Sequence, residues 1–240
     1  MMSFGDIVFS DTVKTYWADA FRGERFIFES EHFSLTETSK LDDGTDGMIL
    51  EATDRTRVTL RSSLAKLFPD RAWTAPGFRH RLSQIGAKCH GADHLFYFPN
   101  TALEKLVKQD ILRDIRLLTE EDSQLFEAFC SKSSEADLDA AYVELDHWLV
   151  AGAFENGELV SVASMYPWNE SRLADTGILT LPHVRGRGYA RRLLQTISHF
   201  ALERGFEPQY RCQLDNLPSV ALARSCGLVE FGRWDVILSR

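Results

Sequence analysis

The feature that most constrains this chain is a strand, a glycine turn and a helix in direct succession around residue 186. The apolar and β-branched residues 178–180 predict a strand. Gly186 and Gly188 predict a turn, and apolar residues then recur at helical spacing from 190 to 201, with Gly205 placed to end the helix. Such a helix start offers backbone N–H groups that lack intrahelical partners, together with a partial positive charge. The sequence therefore predicts an anion site at this turn.

Positive charge is concentrated at the same turn, at Arg185, Arg187, Arg191 and Arg192. The whole chain carries a formal net charge of −8. Local positive charge on an acidic protein predicts a specific anionic ligand, and phosphate is the natural candidate. A dinucleotide fingerprint would need glycine or alanine where Arg191 stands, and the Walker pattern does not occur here.

Composition excludes several other classes of protein. The 240 residues are 44% hydrophobic and 26% charged, which is ordinary for a globular chain of one large or two small domains. No apolar run approaches the ~20 residues of a membrane helix, and the first residues show no signal-peptide pattern. The acidic net charge argues against nucleic-acid binding. The four cysteines lack metal-ligand spacing, so we expect no metal, and reduced thiols in a cytoplasmic protein.

Two stretches carry a resemblance to a known family. Arg185-x-x-Gly188-x-Ala190 fits [QR]-x-x-G-x-[GA] and resembles the pyrophosphate-binding motif of the GNAT superfamily of acyl-CoA-dependent N-acetyltransferases. Residues 216–228 resemble that family's pattern N-x-x-[SA]-x-x-L-Y-x-x-x-G-[FL], with Asn216 and Ser219 at its first two fixed positions. The resemblance covers roughly the last half of the chain.

The resemblance implies that acetyl-CoA is the co-substrate. In such domains the strands splay before the glycine turn, and backbone groups then meet the amides of the pantetheine arm. The residues that it assigns to the co-substrate are Leu179, Thr180, Leu181, Arg185, Gly186, Arg187, Gly188, Tyr189, Ala190, Arg191, Asn216 and Ser219.

The predicted elements from residue 115 onward follow the order β-α-α-β-β-β-α-β-α-β, which is the order of the GNAT fold. The stretch Thr119-Glu-Glu-Asp122 predicts a helix cap, and Asn156-Gly157 predicts a hairpin. We therefore predict an α/β protein with a mixed sheet, in which a GNAT domain over 112–240 follows a smaller α/β subdomain over 1–111. That subdomain is either a degenerate copy of the same fold or a cover for substrate.

The resemblance implies direct acyl transfer to a primary amine of a small molecule or a peptide. Because alkylamines titrate at about 10.4, a base or a lowered pKa is needed to give the neutral nucleophile. Asp175 lies near where a family base stands, and Glu144 and His147 are alternatives. Ala223 replaces a Tyr that many members are held to use as the general acid, so that role stays unassigned.

Several alternatives remain open at this level. The chain could bind acyl-CoA as a regulatory module without catalysis, or act through a protein partner of its N-terminal half. Cys212 is expected to be a buried, inert thiol rather than a nucleophile. Trp148, Tyr166 and Trp168 either line an acceptor pocket or belong to the core. The acidic net charge favours a cationic acceptor, and the oligomeric state stays open.

Overall fold

The computed structural model describes residues 8–69, 71–108 and 114–239. The chain divides into two compact units. The larger unit contains the described parts of 1–13 and 97–211, together with 218–229. The smaller unit contains 14–96, 212–217 and the described residues from 230 onward. The predicted boundary between residues 111 and 112 lies outside the described residues, and the two-domain division stays a prediction.

The described chain contains both α-helices and β-strands throughout its length. The helices are α1 (Asp11–Ala20), α2 (Ser62–Ala65), α3 (Ala75–Gln84), α4 (Asn100–Leu106), α5 (Ser123–Cys130), α6 (Glu135–Ala141), α7 (Tyr189–Glu203) and α8 (Leu217–Cys226). The strands are β1 (Arg25–Glu29), β2 (Phe33–Thr38), β3 (Thr45–Ala52), β4 (Thr56–Arg61), β5 (Asp93–Tyr97), β6 (Ile115–Leu117), β7 (Leu149–Glu155), β8 (Glu158–Pro167), β9 (Leu173–Thr180), β10 (Glu207–Gln213) and β11 (Val229–Leu238). From β6 onward the order is the predicted one, and the mixed α/β fold class is confirmed.

The larger unit is built on the strands β10-β9-β8-β7-β6, in that spatial order. β6 to β9 pair antiparallel, whereas β9 and β10 run parallel. Helix α7 buries Leu193, Ile197 and Ala201 in the same apolar core as β7, β8 and β9. A fully buried leucine or isoleucine contributes roughly 1.5–3 kcal/mol, so this packing fixes the helix against the sheet. The start of α7, and with it the glycine turn, is thereby held at the end of β9.

The smaller unit has the strand order β1-β2-β4-β3-β11-β5. β11 pairs antiparallel with β3, so β11 belongs to this unit. Its core combines aliphatic and aromatic side chains, and the Phe78 ring contacts the rings of both Phe33 and Phe68. Arg79 ties two strands by lying 2.8 Å from Glu51 and 2.8 Å from Asp235.

Two local signals of the sequence are confirmed. Thr119 and Asp122 form a reciprocal capping box, in which the Thr119 N–H donates to the Asp122 carboxylate at 3.0 Å. Asn156 and Gly157 both have positive φ, 52° and 82°, as a two-residue turn between β7 and β8 requires.

The described residues include no group of three His, Cys, Asp or Glu side chains that could hold a metal ion. No helix within them is long and apolar enough to cross a membrane.

Candidate functional site

β9 and β10 separate where the predicted co-substrate site begins. Their parallel pairing ends at Asp175 and Gln209, although β9 continues to Thr180. On its other edge, β9 stays paired with β8 as far as Thr180. Within the described chain, one edge of 176–180 therefore has no strand partner. Its backbone N–H and C=O groups are strong hydrogen-bonding groups directed into the gap.

The end of β9 is anchored on the β8 side, and the Thr180 carbonyl also accepts from Arg185 Nε at 3.0 Å. The Ser161 hydroxyl donates to the Leu179 carbonyl at 3.0 Å and lies 2.7 Å from the Thr180 hydroxyl. The Leu181 N–H donates to the Val160 carbonyl at 3.0 Å. A strand end that is held on the β8 side and has no strand partner on its other edge, within the described chain, fits the pantetheine arm predicted to lie along Leu179–Leu181.

The glycine turn combines positive φ with open space. Gly186 and Gly188 have φ of 79° and 81°, a conformation that L side chains rarely adopt. A Cβ added at either position would meet no atom within 4 Å. The requirement for glycine is therefore conformational, and a ligand can approach the backbone closely. Gly188 stands at the N-cap of α7, where no described side chain accepts from the free N–H groups.

The two arginines of the turn point at carboxylates of the same unit. Arg185 Nη2 lies 3.1 Å from Asp137, and Arg187 Nη1 lies 3.1 Å from both oxygens of Glu155. The Tyr189 hydroxyl donates to Glu155 at 2.7 Å. Both guanidinium groups are about half exposed, and pairs of this kind contribute about 0–1 kcal/mol. They position the arginines and are weak enough for a phosphate group to displace.

The remaining predicted co-substrate residues lie at two helix starts. Ala190 and the exposed Arg191 belong to the first turn of α7. Ser219 is in the first turn of α8, and Asn216 directly precedes that helix but groups with the smaller unit. Ala223 is wholly buried in α8, so this position supplies no side-chain proton donor.

Asp175 lies at the point where β9 and β10 part. Its side chain accepts from Arg211 Nη2 at 2.8 Å, from Gln209 Nε2 at 2.9 Å and from the Tyr166 hydroxyl at 3.0 Å, and the residue is 5% exposed. The Tyr97 hydroxyl in turn donates to Gln209 Oε1. To take a proton from an amine, Asp175 would have to give up part of this ion pair. That Asp175 is the catalytic base stays a prediction.

The Asp175 network makes a stability prediction. Asp175→Asn removes the charge that compensates the mostly buried Arg211 guanidinium. Breaking a buried pair by removing one partner is strongly destabilising, and we expect a loss of about 2 kcal/mol because Arg211 keeps some exposure. Urea unfolding would measure it. The double variant Asp175→Asn/Arg211→Gln should recover part of the loss, and equal stability of Asp175→Asn and the natural chain would contradict this role.

A second polar cluster lies on the same face of β8 and β9. His147 Nδ1 is 2.8 Å from the Ser164 hydroxyl, and its ring lies 5.0 Å from the rings of both Tyr142 and Tyr166. Burial lowers the pKa of His147, so the imidazole is neutral at pH 7. Its Nε2 makes no hydrogen bond within the described chain and lies 3.7 Å from a Glu144 oxygen. A neutral imidazole with one ring nitrogen held and the other open can accept a proton.

The structure places Trp168, Trp148 and Cys212 in different surroundings. Trp168 lies beside the Asp175 network, with the Arg211 guanidinium 4.1 Å from its ring centroid. Trp148 instead packs on Phe206, with the ring centroids 4.4 Å apart. Burial raises the pKa of the Cys212 thiol to about 12, which agrees with an inert thiol rather than a nucleophile.

Sequence reasoning missed Gln209, Arg211 and Ser164. Gln209 and Arg211 are alternate residues of β10, so they share one face, and the parallel register places Gln209 opposite Asp175. Ser164 lies opposite Gly177 in the β8–β9 pair. The alternation was visible in the sequence, but the register that aligns it with Asp175 was not.

Residues 114–228 match the model of the Acetyltransferase (GNAT) family. The resemblance of the C-terminal half to the GNAT superfamily is thereby confirmed. No curated protein sequence matches the chain.

Similar solved structures include GNAT proteins from two bacteria. The acetyltransferase from Colwellia psychrerythraea has 15% identity over 69% of this chain and 63% of its own, with a TM-score of 0.49. The GCN5-related N-acetyltransferase from Kribbella flavida has 14% identity over 69% of this chain and 65% of its own, with a TM-score of 0.47. This chain thus spans less than two thirds of either protein.

An aminoglycoside N-acetyltransferase, AAC(6')-Iy in complex with CoA, has 20% identity over 49% of this chain and 92% of its own, with a TM-score of 0.39. At these identities and TM-scores, none of the three similarities identifies the acceptor of this protein.

Proposed function

We propose that this protein transfers the acetyl group of acetyl-CoA directly to a primary amine of a small molecule or a peptide. One observation carries the proposal: the unpaired edge of 176–180 leads straight into the glycine turn at Gly186 and Gly188. An extended arm that needs backbone hydrogen bonds and ends in a pyrophosphate fits these two features in that order. Family membership of residues 114–228 supports the same co-substrate.

His147 is the base that the geometry favours over Asp175 and Glu144. Its imidazole is neutral, fixed through Nδ1 by Ser164 and open at Nε2. Asp175 is engaged by Arg211, and the Glu144 side chain is half exposed to water. The amine nitrogen forms its bond to the acyl carbon, the carbon–sulfur bond breaks, and the amine proton passes to His147 Nε2. A thiol has a pKa of about 8.5, so the thiolate can leave without a tyrosine at position 223.

Calorimetric titration with acetyl-CoA, followed by a thiol-release assay with a panel of amines, tests this function. Binding together with amine-dependent release of CoA is expected. Binding without turnover would favour the alternative function, a non-catalytic acyl-CoA-binding or protein-interaction module. The buried Ala223 and the ion pair of Asp175 with Arg211 support that alternative. No binding at all would overturn both acetyl transfer and an acyl-CoA-binding module, and would favour a protein-interaction module. We also propose a cytoplasmic location, because all four cysteines are free thiols.

Gly177 of β9 packs closely against the backbone of Ala141 and Tyr142, at the end of α6. A Cβ at this position would lie 2.1 Å from the Ala141 carbonyl oxygen and 2.8 Å from that of Tyr142. Gly177→Ala must therefore displace the segment that carries Tyr142 and leads to His147. We expect roughly tenfold lower kcat/KM toward amines with unchanged acetyl-CoA affinity, because a misplacement of about 1 Å is costly in catalysis. Gly157→Ala, at a hairpin position with open space, is the control, and equal kcat/KM in both variants would contradict this reading.

A further inference from the structure

The acceptor side of the larger unit presents two carboxylates without a cationic partner. We call Tyr142, Glu144, Asp146, His147 and Tyr166 the acceptor face. Neither Glu144 nor Asp146 forms an ion pair with lysine or arginine in the described chain; the one ion-pair contact of Glu144 is the 3.7 Å approach to His147. Because His147 is neutral, its contact with Glu144 does not cancel the negative charge of the Glu144 carboxylate.

The cation beside Tyr166, Arg211, is paired with another carboxylate. Arg211 lies 2.8 Å from Asp175, and its guanidinium stacks on Trp168. The charges of Asp175 and Arg211 therefore cancel within their own ion pair. What remains on the acceptor face is the charge of Glu144 and Asp146, with the Glu144 side chain 49% exposed.

Aromatic rings stand beside these carboxylates. Tyr142 is 51% exposed and meets the Tyr166 ring edge-on, at an interplanar angle of 87° and a centroid distance of 5.6 Å. A half-exposed tyrosine ring can attract a cation through its face. The His147 side chain gives independent evidence that a ligand binds at this face. It is only 9% exposed, yet its Nε2 has no hydrogen-bond partner in the described chain.

We propose that the acceptor is a small amine that carries at least two cationic groups and no carboxylate, and that Glu144 selects it. This inference rests on the proposed acetyl transfer. The reacting ammonium group first loses one proton to water. The neutral amine then forms the bond to the acyl carbon, gives a second proton to His147 Nε2, and displaces the thiolate as the carbon–sulfur bond breaks. The second ammonium group stays protonated against the carboxylates of Glu144 and Asp146 and the ring of Tyr142. An acceptor carboxylate in that position would be repelled by both acids.

Three probes of equal chain length separate the charge requirement from size. These are 1,4-diaminobutane, 1-aminobutane and 4-aminobutanoate, assayed by CoA release at fixed acetyl-CoA. We expect kcat/KM to fall in that order, with the diamine ahead of the monoamine by roughly fivefold, as one solvent-exposed charge pair at about 4 Å implies. High salt should shrink the gap.

Two substitutions of Glu144 and one matched control test its role. Glu144→Gln should raise KM for the diamine with little change in kcat, and should bring the diamine and the monoamine together. Glu127→Gln, which removes the same charge from an exposed position on α5, is the matched control and should keep the natural order. Glu144→Asp should restore part of the preference.

The outcomes separate this inference from the proposed function. Loss of acetyl-CoA binding in the natural chain overturns both. Binding with equal kcat/KM for the three probes, a preference for 4-aminobutanoate, or turnover of none of them overturns the dicationic acceptor and leaves co-substrate binding in place. A diamine preference that Glu144→Gln and Glu127→Gln reduce equally would also overturn it, since net charge rather than Glu144 would then be responsible.

Discussion

Gly188→Glu is expected to abolish measurable acetyl-CoA binding while the protein stays folded. The added carboxylate would occupy the proposed pyrophosphate site. Two like charges about 4 Å apart repel by about 4 kcal/mol near a protein surface, which corresponds to a roughly thousandfold loss of affinity. Nothing lies within 4 Å of a Cβ at this position, so the new side chain meets no steric obstacle. Its positive φ adds strain of about 1–3 kcal/mol. Calorimetric titration with acetyl-CoA and with CoA measures the loss.

Gly205→Glu is the matched control, since Gly205 ends the same helix with φ of 76° and also faces open space. It imposes the same strain and the same charge at the far end of α7. The two variants should unfold at similar temperatures, and only Gly188→Glu should lose binding. Retained affinity in Gly188→Glu, or equal loss in both, would contradict the assigned phosphate site.

His147→Gln is expected to lower kcat/KM for amines by about 10²–10⁴-fold, the usual contribution of a positioned general base. Because burial depresses the pKa of His147 below its ordinary value, protonation of His147 should not limit the activity of the natural protein at pH 7. Its activity should fall only as the pH drops through that lowered pKa, since the imidazole then becomes protonated. The acidic limb of the pH profile should disappear in His147→Gln, and acetyl-CoA affinity should not change.

The comparison with Asp175→Asn assigns the base. If Asp175 were the base, Asp175→Asn would lower kcat at temperatures where the variant is fully folded, and the acidic limb would survive in His147→Gln. A His147→Gln profile that keeps both the natural rate and the natural limb would return the role to Asp175 or to Glu144. Ser164→Ala should shift the pH profile more than it lowers the rate, because it removes only the partner of Nδ1.

Local features of this fold could be predicted from the sequence. The glycine turn, the Thr119–Asp122 cap and the Asn156–Gly157 hairpin each depend on a few neighbouring residues whose backbone preferences are strong. The order of elements from β6 onward followed from hydrophobic periodicity. These features sufficed to indicate the resemblance to the GNAT superfamily, whose acetyltransferase model matches residues 114–228.

Features that depend on distant pairing could not be predicted. Asp175 was noticed as an isolated acid, and nothing near it in sequence indicates the ion pair with Arg211, which lies across a parallel strand pair. The same holds for β11, which continues directly from α8 yet pairs with β3 of the smaller unit. Register and strand order are set by packing between segments far apart in the chain, and single-sequence patterns do not encode them strongly.

The short β9–β10 ladder has a thermodynamic consequence. Three residue pairs join these neighbours, and the rest of the β9 edge can exchange hydrogen bonds with water or with a bound molecule. A ligand that binds there only in the folded state stabilises the protein by mass action, by about 2.7 kcal/mol at a hundredfold excess over its Kd. In this proposal the co-substrate therefore completes the sheet as well as feeding the reaction, and the lifetime of the folded protein would follow the supply of acetyl-CoA.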